Sequence, residues 1–256
     1  MTSSSATSWG VPPAKLNIDS SDVHVWRATL DEPPAPIDCY LHTLAADERT
    51  RAERFYFRRD GQRFIIAHGV LRAILSLYLN ESPKRISFCN GSHGKPALFP
   101  ESGGDSIRFN MSHSHGMALY AVARSREVGV DIEFVRGDLE AEQIAERFFS
   151  RREIAELRAL PAALRRNAFF LCWTRKEAYI KAKGEGLSLP LDQFDVSLTP
   201  GEPAALLNTR PDSGETLRWS LQELTPDPGY AAALAAGGHG WSLSCWQTGG
   251  LGQASH

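Results

Sequence analysis

Four groups of residues have types and spacings suited to chemistry. Gly129-Val130-Asp131-Ile132-Glu133 places two carboxylates two residues apart. On a strand such positions face one side, so Asp131 and Glu133 project together while Val130 and Ile132 face the opposite layer. Two carboxylates on one face repel unless a cation joins them, and oxygen ligands suit Mg²⁺, with Mn²⁺ the related choice. Solvated acids on a half-exposed strand fit the same five letters. Further on, Trp173, Glu177 and Lys181 stand at i, i+4 and i+8, on one face of a helix. A surface Glu–Lys pair is the ordinary reading of that spacing. Residues 168–171 are strongly apolar, however, which argues for a buried helix whose charges need partners. A third metal carboxylate and a phosphate-binding lysine would supply them. The segment Phe109-Asn110-Met111-Ser112-His113-Ser114-His115-Gly116 is rich in hydroxyl, imidazole and amide donors, which suits either a phosphate-holding loop or a structural turn. Its Ser-His neighbours do not make a triad, and the chain has no G-x-S-x-G elbow. The last group is basic. Arg51, Arg54 and Arg58 fall at helical spacing on one face, with Arg63 and Lys95 further on. Such a run is a phosphate site or a solvated helix face.

The elements that must position these groups follow from pattern. Residues 1–20 are polar and contain Pro12-Pro13, so they read as a disordered tail. Residues 23–27 alternate as a strand, and Pro33, Pro34 and Pro36 mark a linker. Helices are expected over 45–58 and 67–79 with Gly61 between them, then a turn at 90–96 and strands at 107–110 and 117–123. A second series follows: a strand at 128–134, a helix at 139–149, a helix capped by Ser150 with Glu153 three residues on, and a helix at 169–183 that stops at Gly184. Short strands are expected at 194–198, 217–221, 230–234 and 241–246. The order predicts an α+β fold of two similar halves, 21–125 and 126–248, each with helices on a small, mainly antiparallel sheet, and a tail at 249–256.

Composition sets limits on partners and class. The chain has 256 residues, 42% hydrophobic and 23% charged, enough to bury a real core. Its 28 Lys+Arg against 30 Asp+Glu give a net charge of -2, which argues against a nucleic-acid binder but allows a local basic pocket. Cys39, Cys89, Cys172 and Cys245 are scattered, without metal spacing, and read as reduced thiols. There is no signal-peptide pattern and no membrane-length apolar run, so a cytoplasmic protein is expected.

Taken in register, these segments resemble the 4'-phosphopantetheinyl transferases of the surfactin-synthetase-activating (Sfp) type. The resemblance rests on Arg54-Phe55-Tyr56, Gly94-Lys95-Pro96, Phe109 to Ser114, Gly129 to Glu133, Arg147-Phe148-Phe149-Ser150, Trp173-Thr174-Arg175-Lys176-Glu177-Ala178 with Lys181, and Lys183-Gly184-Glu185-Gly186-Leu187. It implies a pseudo-twofold monomer that binds coenzyme A in the cleft between its halves. It implies Mg²⁺ held by Asp131, Glu133 and Glu177, and nucleotide phosphates held by Arg51, Arg63, Lys95, Ser112 and His113, with Lys181 at the pyrophosphate. The implied reaction moves the phosphopantetheine arm onto a serine of an apo acyl or peptidyl carrier protein, releasing adenosine 3',5'-bisphosphate. Glu177 would then be the general base and Lys181 the stabiliser of the leaving phosphate, with Asp131 also catalytic. Some members carry lysine where Glu48 stands, so the 3'-phosphate must be held differently here. Two rivals share part of this pattern: a Mg²⁺-dependent pyrophosphate hydrolase and a non-catalytic binder of coenzyme A or carrier protein.

Overall fold

The computed structural model describes residues 7–91, 94–99, 106–137 and 139–249. One half begins with β1 (Asp22–Thr29), passes through α1 (Ile37–Leu41), α2 (Ala46–Glu53), the long α3 (Arg58–Leu79) and the hairpin β2 (Phe88–Asn90)/β3 (Pro96–Leu98), and ends in β4 (Ile107–Ser114) and β5 (Met117–Arg124). The other runs through β6 (Val128–Phe134), α4 (Ala141–Phe148), α5 (Arg151–Ala159), the long α6 (Ala162–Lys183), the hairpin β7 (Phe194–Val196)/β8 (Leu206–Thr209), then β9 (Trp219–Leu224) and β10 (Tyr230–Gly237). Strand orders β1-β5-β4 and β6-β10-β9 are the same topology written twice, and every pairing within them is antiparallel. The long helix in each half has 22 residues. This is the α+β arrangement of two similar halves that the element order predicts.

Strict alternation along the strands builds the layers. Leu119, Ala121 and Ala123 of β5 meet Val128, Val130 and Ile132 of β6 and Ala232, Leu234 and Ala236 of β10 in a core between the sheets. The opposite face of the first sheet, with Trp26, Tyr120 and Val122, packs on Ala67, Val70 and Ile74 of α3. Ala231, Ala233 and Ala235 of β10 pack on α6. The molecule is thus helix, sheet, sheet, helix, each strand dividing its side chains between two cores.

Several expectations are corrected. The last strand, β11 (Ser242–Gln247), expected with the second half, crosses back to pair in parallel with β1. Residues 7–20 are bound to the body rather than forming a free tail: Gly10 bridges Trp246, the Trp9 indole donates to Thr225 O at 2.7 Å, and Ile18 is buried. Residues 1–6 and 250–256 lie outside the described residues. Gly61 sits inside α3 rather than separating helices; a Cβ there would stand 2.9 Å from the Ala52 carbonyl oxygen, so glycine lets α2 cross α3 closely. The Arg51-Arg54-Arg58 row is broken, since Arg51 is on α2, Arg54 caps it and Arg58 opens α3. Ser112 and His113 are on β4, not in a loop. The proline-rich linker leads into α1, and β8 was not anticipated.

Candidate active site

The site lies where the edge of β6 meets one face of β4. Gly129, Asp131 and Glu133 face α6, opposite the small Ala231, Ala233 and Ala235 of β10. Helix and strand approach so closely at Gly129 that a Cβ would overlap the Ala178 carbonyl oxygen and the Ala182 nitrogen. The glycine of that segment is therefore what allows α6 to lie against the acids.

The far side of α6 is anchored by buried charge. Arg175 donates to Ser197 O at 2.7 Å and to Glu223 at 2.6 Å. Fully buried Lys176 donates to Leu191 O, Phe194 O and the Glu153 carboxylate at 2.7, 2.6 and 2.8 Å. Glu153 also completes the capping box with Ser150 and accepts from Val196 N. Nearer the C-terminus, Tyr179 and Lys183 both bond Glu215. The buried charges of this helix are paired, as burial requires. Its near side presents Glu177 and Lys181 to β6.

Lys181 Nζ lies 2.5 Å from Asp131 Oδ1 and 3.0 Å from Ser112 Oγ, while Ser112 Oγ donates to the same Oδ1 at 2.8 Å. Two of three ammonium donors are used, so one remains. Asp131 Oδ2 is buried with no partner. Burial, and then the Asp131 charge, push the Glu133 carboxyl above its ordinary range, partly opposed by a hydrogen bond from Ser114. The same two causes raise Glu177, with Glu133 adding to them and Lys181 opposing. Three mutually repelling carboxyls around an orphan oxygen fit a divalent cation. Among the described residues no such group is already drawn together in ligand geometry.

On the other side of the seam the charge is positive. The His113 ring is exposed, yet burial of its surroundings and then the charges of His68, Lys181, Arg63 and Arg51 lower its basicity. Arg51 and His68 line a cavity of about 470 Å³ together with Asp47, Arg72, Lys84, Phe88 and Phe109. Its floor is Glu48, 8% exposed, which accepts from Arg72 at 2.6 and 2.9 Å, from Ala45 N at 2.9 Å, and pairs with His68 at 2.8 Å. Burial opposes ionisation of Glu48, but the bonds from His68, Ala45 and Arg72 outweigh it and hold its carboxyl at about 2. Glu48 therefore stays ionised and holds Arg72 and His68 in place. Arg51, whose guanidinium lies 5.2 Å over the Phe64 ring, and Lys84 have no acidic partner among the described residues.

Two assigned phosphate ligands are engaged elsewhere. Lys95 Nζ donates to Glu127 at 2.9 Å, Val128 O at 3.2 Å and Ala182 O at 2.9 Å. All three of its donors are occupied within the protein, where they tie the two halves together. Arg63 forks onto Asp31 at 2.8 and 2.7 Å, with Arg59 on the same carboxylate. Ser112 is likewise held by Asp131 and Lys181. Sequence reading missed His68 and Lys84. The signal for His68 was available: Phe64, His68 and Arg72 repeat at i, i+4 and i+8 on α3, the same spacing as Trp173, Glu177 and Lys181 on α6.

The chain matches two family models and several known proteins. Residues 25–125 match the model of the N-terminal part of 4'-phosphopantetheinyl transferases, and residues 127–235 match that of the 4'-phosphopantetheinyl transferase superfamily. The chain is 42% identical to the 4'-phosphopantetheinyl transferase HetI of Nostoc sp. over 93% of its length and 97% of that protein's. It is 31% identical to the 4'-phosphopantetheinyl transferase Sfp of Bacillus subtilis over 77% of its length and 84% of that protein's. With an acidic cluster and a cationic cavity facing each other across the seam of a duplicated fold, the chain belongs to the 4'-phosphopantetheinyl transferase superfamily.

Proposed function

We propose that this protein transfers the 4'-phosphopantetheine arm of coenzyme A to a serine hydroxyl of an apo acyl or peptidyl carrier protein, releasing adenosine 3',5'-bisphosphate. The observation that carries the reading is the meeting of open polar groups at the seam: the orphan Asp131 Oδ2 with Glu133 and Glu177 on one side, the cations Arg51 and Lys84 and the His113 ring on the other.

The cavity beside α2 and α3 takes the nucleotide end, with Phe88 and Phe109 for the base and Arg51, Lys84 and His68 for phosphate oxygens. His113 is the next donor towards the seam. The free donor of Lys181 takes a pyrophosphate oxygen, and its ion pair with Asp131 fixes its position. Asp131, through Oδ2, with Glu133 and Glu177 would hold Mg²⁺ or Mn²⁺. When bound, that ion supplies charge neutralisation on the pyrophosphate. Glu177 accepts the proton of the carrier serine as its oxygen attacks the β-phosphorus. The α-phosphate leaves with adenosine. No nucleophile from this chain is needed, because the carrier serine attacks the phosphorus itself.

One chain supplies both sides of this cleft, so a monomer suffices. Among the described residues no helix is long and apolar enough to cross a membrane. The test is intact-mass measurement on a panel of apo carrier proteins incubated with coenzyme A and Mg²⁺. An increase of about 340 Da, the mass of one phosphopantetheine arm, is expected on at least one. A hydrolase would consume coenzyme A without the increase, and a binder would do neither.

A further inference from the structure

β4 meets β6 through side chains rather than through a backbone ladder. Alternate residues of β4 share a face, and three in succession reach the edge of β6. Asn110 Oδ1 accepts from Val130 N at 2.9 Å, Ser112 Oγ donates to Asp131, and Ser114 Oγ accepts from Phe134 N at 3.1 Å. The edge strand, with amides that would otherwise face solvent or a foreign strand, is capped by polar side chains of the other half.

Ser114 has a second contact, to the other strand carboxylate. Its Oγ lies 2.9 Å from Glu133 Oε2. The Phe134 amide occupies one lone pair of the hydroxyl. The single proton is then directed to the carboxylate, closer than the alternative acceptor, His115 Nδ1, at 3.5 Å. Glu133 follows Ile132 near the end of β6 and is only half-buried, with no other hydrogen bond among the described residues. Without the hydroxyl no hydrogen bond among the described residues selects one rotamer, while Asp131 repels the carboxyl and Lys181 and Arg136 attract it.

We propose that Ser114 is a positioning residue: it holds Glu133 so that its free oxygen faces Asp131 Oδ2, preorganising the acidic cluster for a divalent cation. The inference rests on the reading of Glu133 as a metal ligand. Supporting hydrogen bonds of this kind typically change metal affinity by about 10- to 100-fold when removed.

The experiment measures Mn²⁺ binding to the full-length protein saturated with coenzyme A, by electron paramagnetic resonance of free Mn²⁺, with no carrier protein present. Ser114→Val and Ser114→Thr are compared because they share a shape and differ in the hydroxyl, and β-branched residues suit a strand. The expected result is Mn²⁺ binding weakened about tenfold in Ser114→Val and within twofold of wild type in Ser114→Thr, with coenzyme A affinity in chelator unchanged in both. Equal Mn²⁺ affinity in Val and Thr variants overturns the positioning role, as does equal weakening in both. Glu133→Gln in the same assay separates the two levels of the argument. If Glu133→Gln loses Mn²⁺ while Ser114→Val keeps it, the metal reading stands and the Ser114 inference fails. If Glu133→Gln binds Mn²⁺ as wild type does, the metal reading fails and takes the inference with it.

Discussion

The first strand of each half opens the same three-strand order and turns one face towards the long helix, and the two are used differently. In β1 the row of side chains facing α3 contains His24 and Trp26, with the bulky Val122 and Tyr120 opposite them on β5. The Trp26 indole donates to the Tyr78 hydroxyl at 2.8 Å, and that hydroxyl lies 2.8 Å from His24 Nδ1, so each buried polar group is satisfied. In β6 the row facing α6 contains Asp131 and Glu133, with only Ala233 and Ala231 opposite. There Asp131 Oδ2 has no partner, and burial raises two neighbouring carboxyls. In the β1 row His24, Trp26 and Tyr78 close their hydrogen bonds on one another and act as scaffold. In the β6 row an unpartnered carboxylate oxygen sits beside two further carboxyls, at a cost in stability, and that combination marks the site.

The comparison breaks most severely at Gly129. In Gly129→Ala the new methyl overlaps the α6 backbone, so helix and strand must separate. A loss on the order of 3 kcal/mol is expected, which for a chain of this size lowers Tm by roughly 10 °C. Transfer activity should fall even in the folded fraction, because Glu177 and Lys181 move with the helix. Calorimetry with activity per folded molecule checks this; a wild-type Tm would mean that α6 does not approach β6 as described.

Tyr78→Phe tests the closed copy. It removes the hydroxyl shared by His24 and Trp26 and should cost about 1–3 kcal/mol of stability, with kcat per folded molecule unchanged. A large loss of kcat without loss of stability would contradict the scaffold role of the first half.

Arg51→Ala against Lys95→Ala separates a phosphate donor from a strut. Losing one charge-assisted contact should raise KM for coenzyme A about tenfold or more in Arg51→Ala. Lys95→Ala should lower Tm while leaving that KM near wild type, since its three donors are used within the protein. The reverse pattern would restore Lys95 to the pocket.

The smallest effect concerns the cavity floor in acid. Glu48 ionises at about 2 in the folded protein against an ordinary 4.5. A depressed carboxylate contributes stability that is complete above about pH 4.5 and is lost as pH falls towards 2. Glu48→Gln should remove part of the slope of stability against pH in that window and leave the slope near neutrality unchanged, as denaturant titrations at several pH values will show.

Much of the site was legible before any fold was known. Strand alternation alone placed Asp131 and Glu133 together, and the apolar run before Trp173 announced a helix whose charges had to be paired. The duplicated order of strands and long helices also followed from pattern. What pattern does not contain is distance across the fold. Lys95 and Arg63 have the right chemistry for phosphate, but Glu127 and Asp31, each roughly 30 positions away in sequence, claim them first. Glu48 looked like a deficit for anion binding until Arg72 and His68 were seen on either side of it. The return of β11 to β1 depends on packing of distant segments, which no local propensity records.

The central claim is that the carboxylates at the seam carry the transfer. Its most direct test is an intact-mass time course of an apo carrier protein with coenzyme A and Mg²⁺, comparing wild type with Glu177→Gln at equal folded concentration. The expected result is an increase of about 340 Da that appears on the order of 100-fold more slowly in Glu177→Gln. A Glu177→Gln variant that modifies the carrier as fast as wild type would contradict the account.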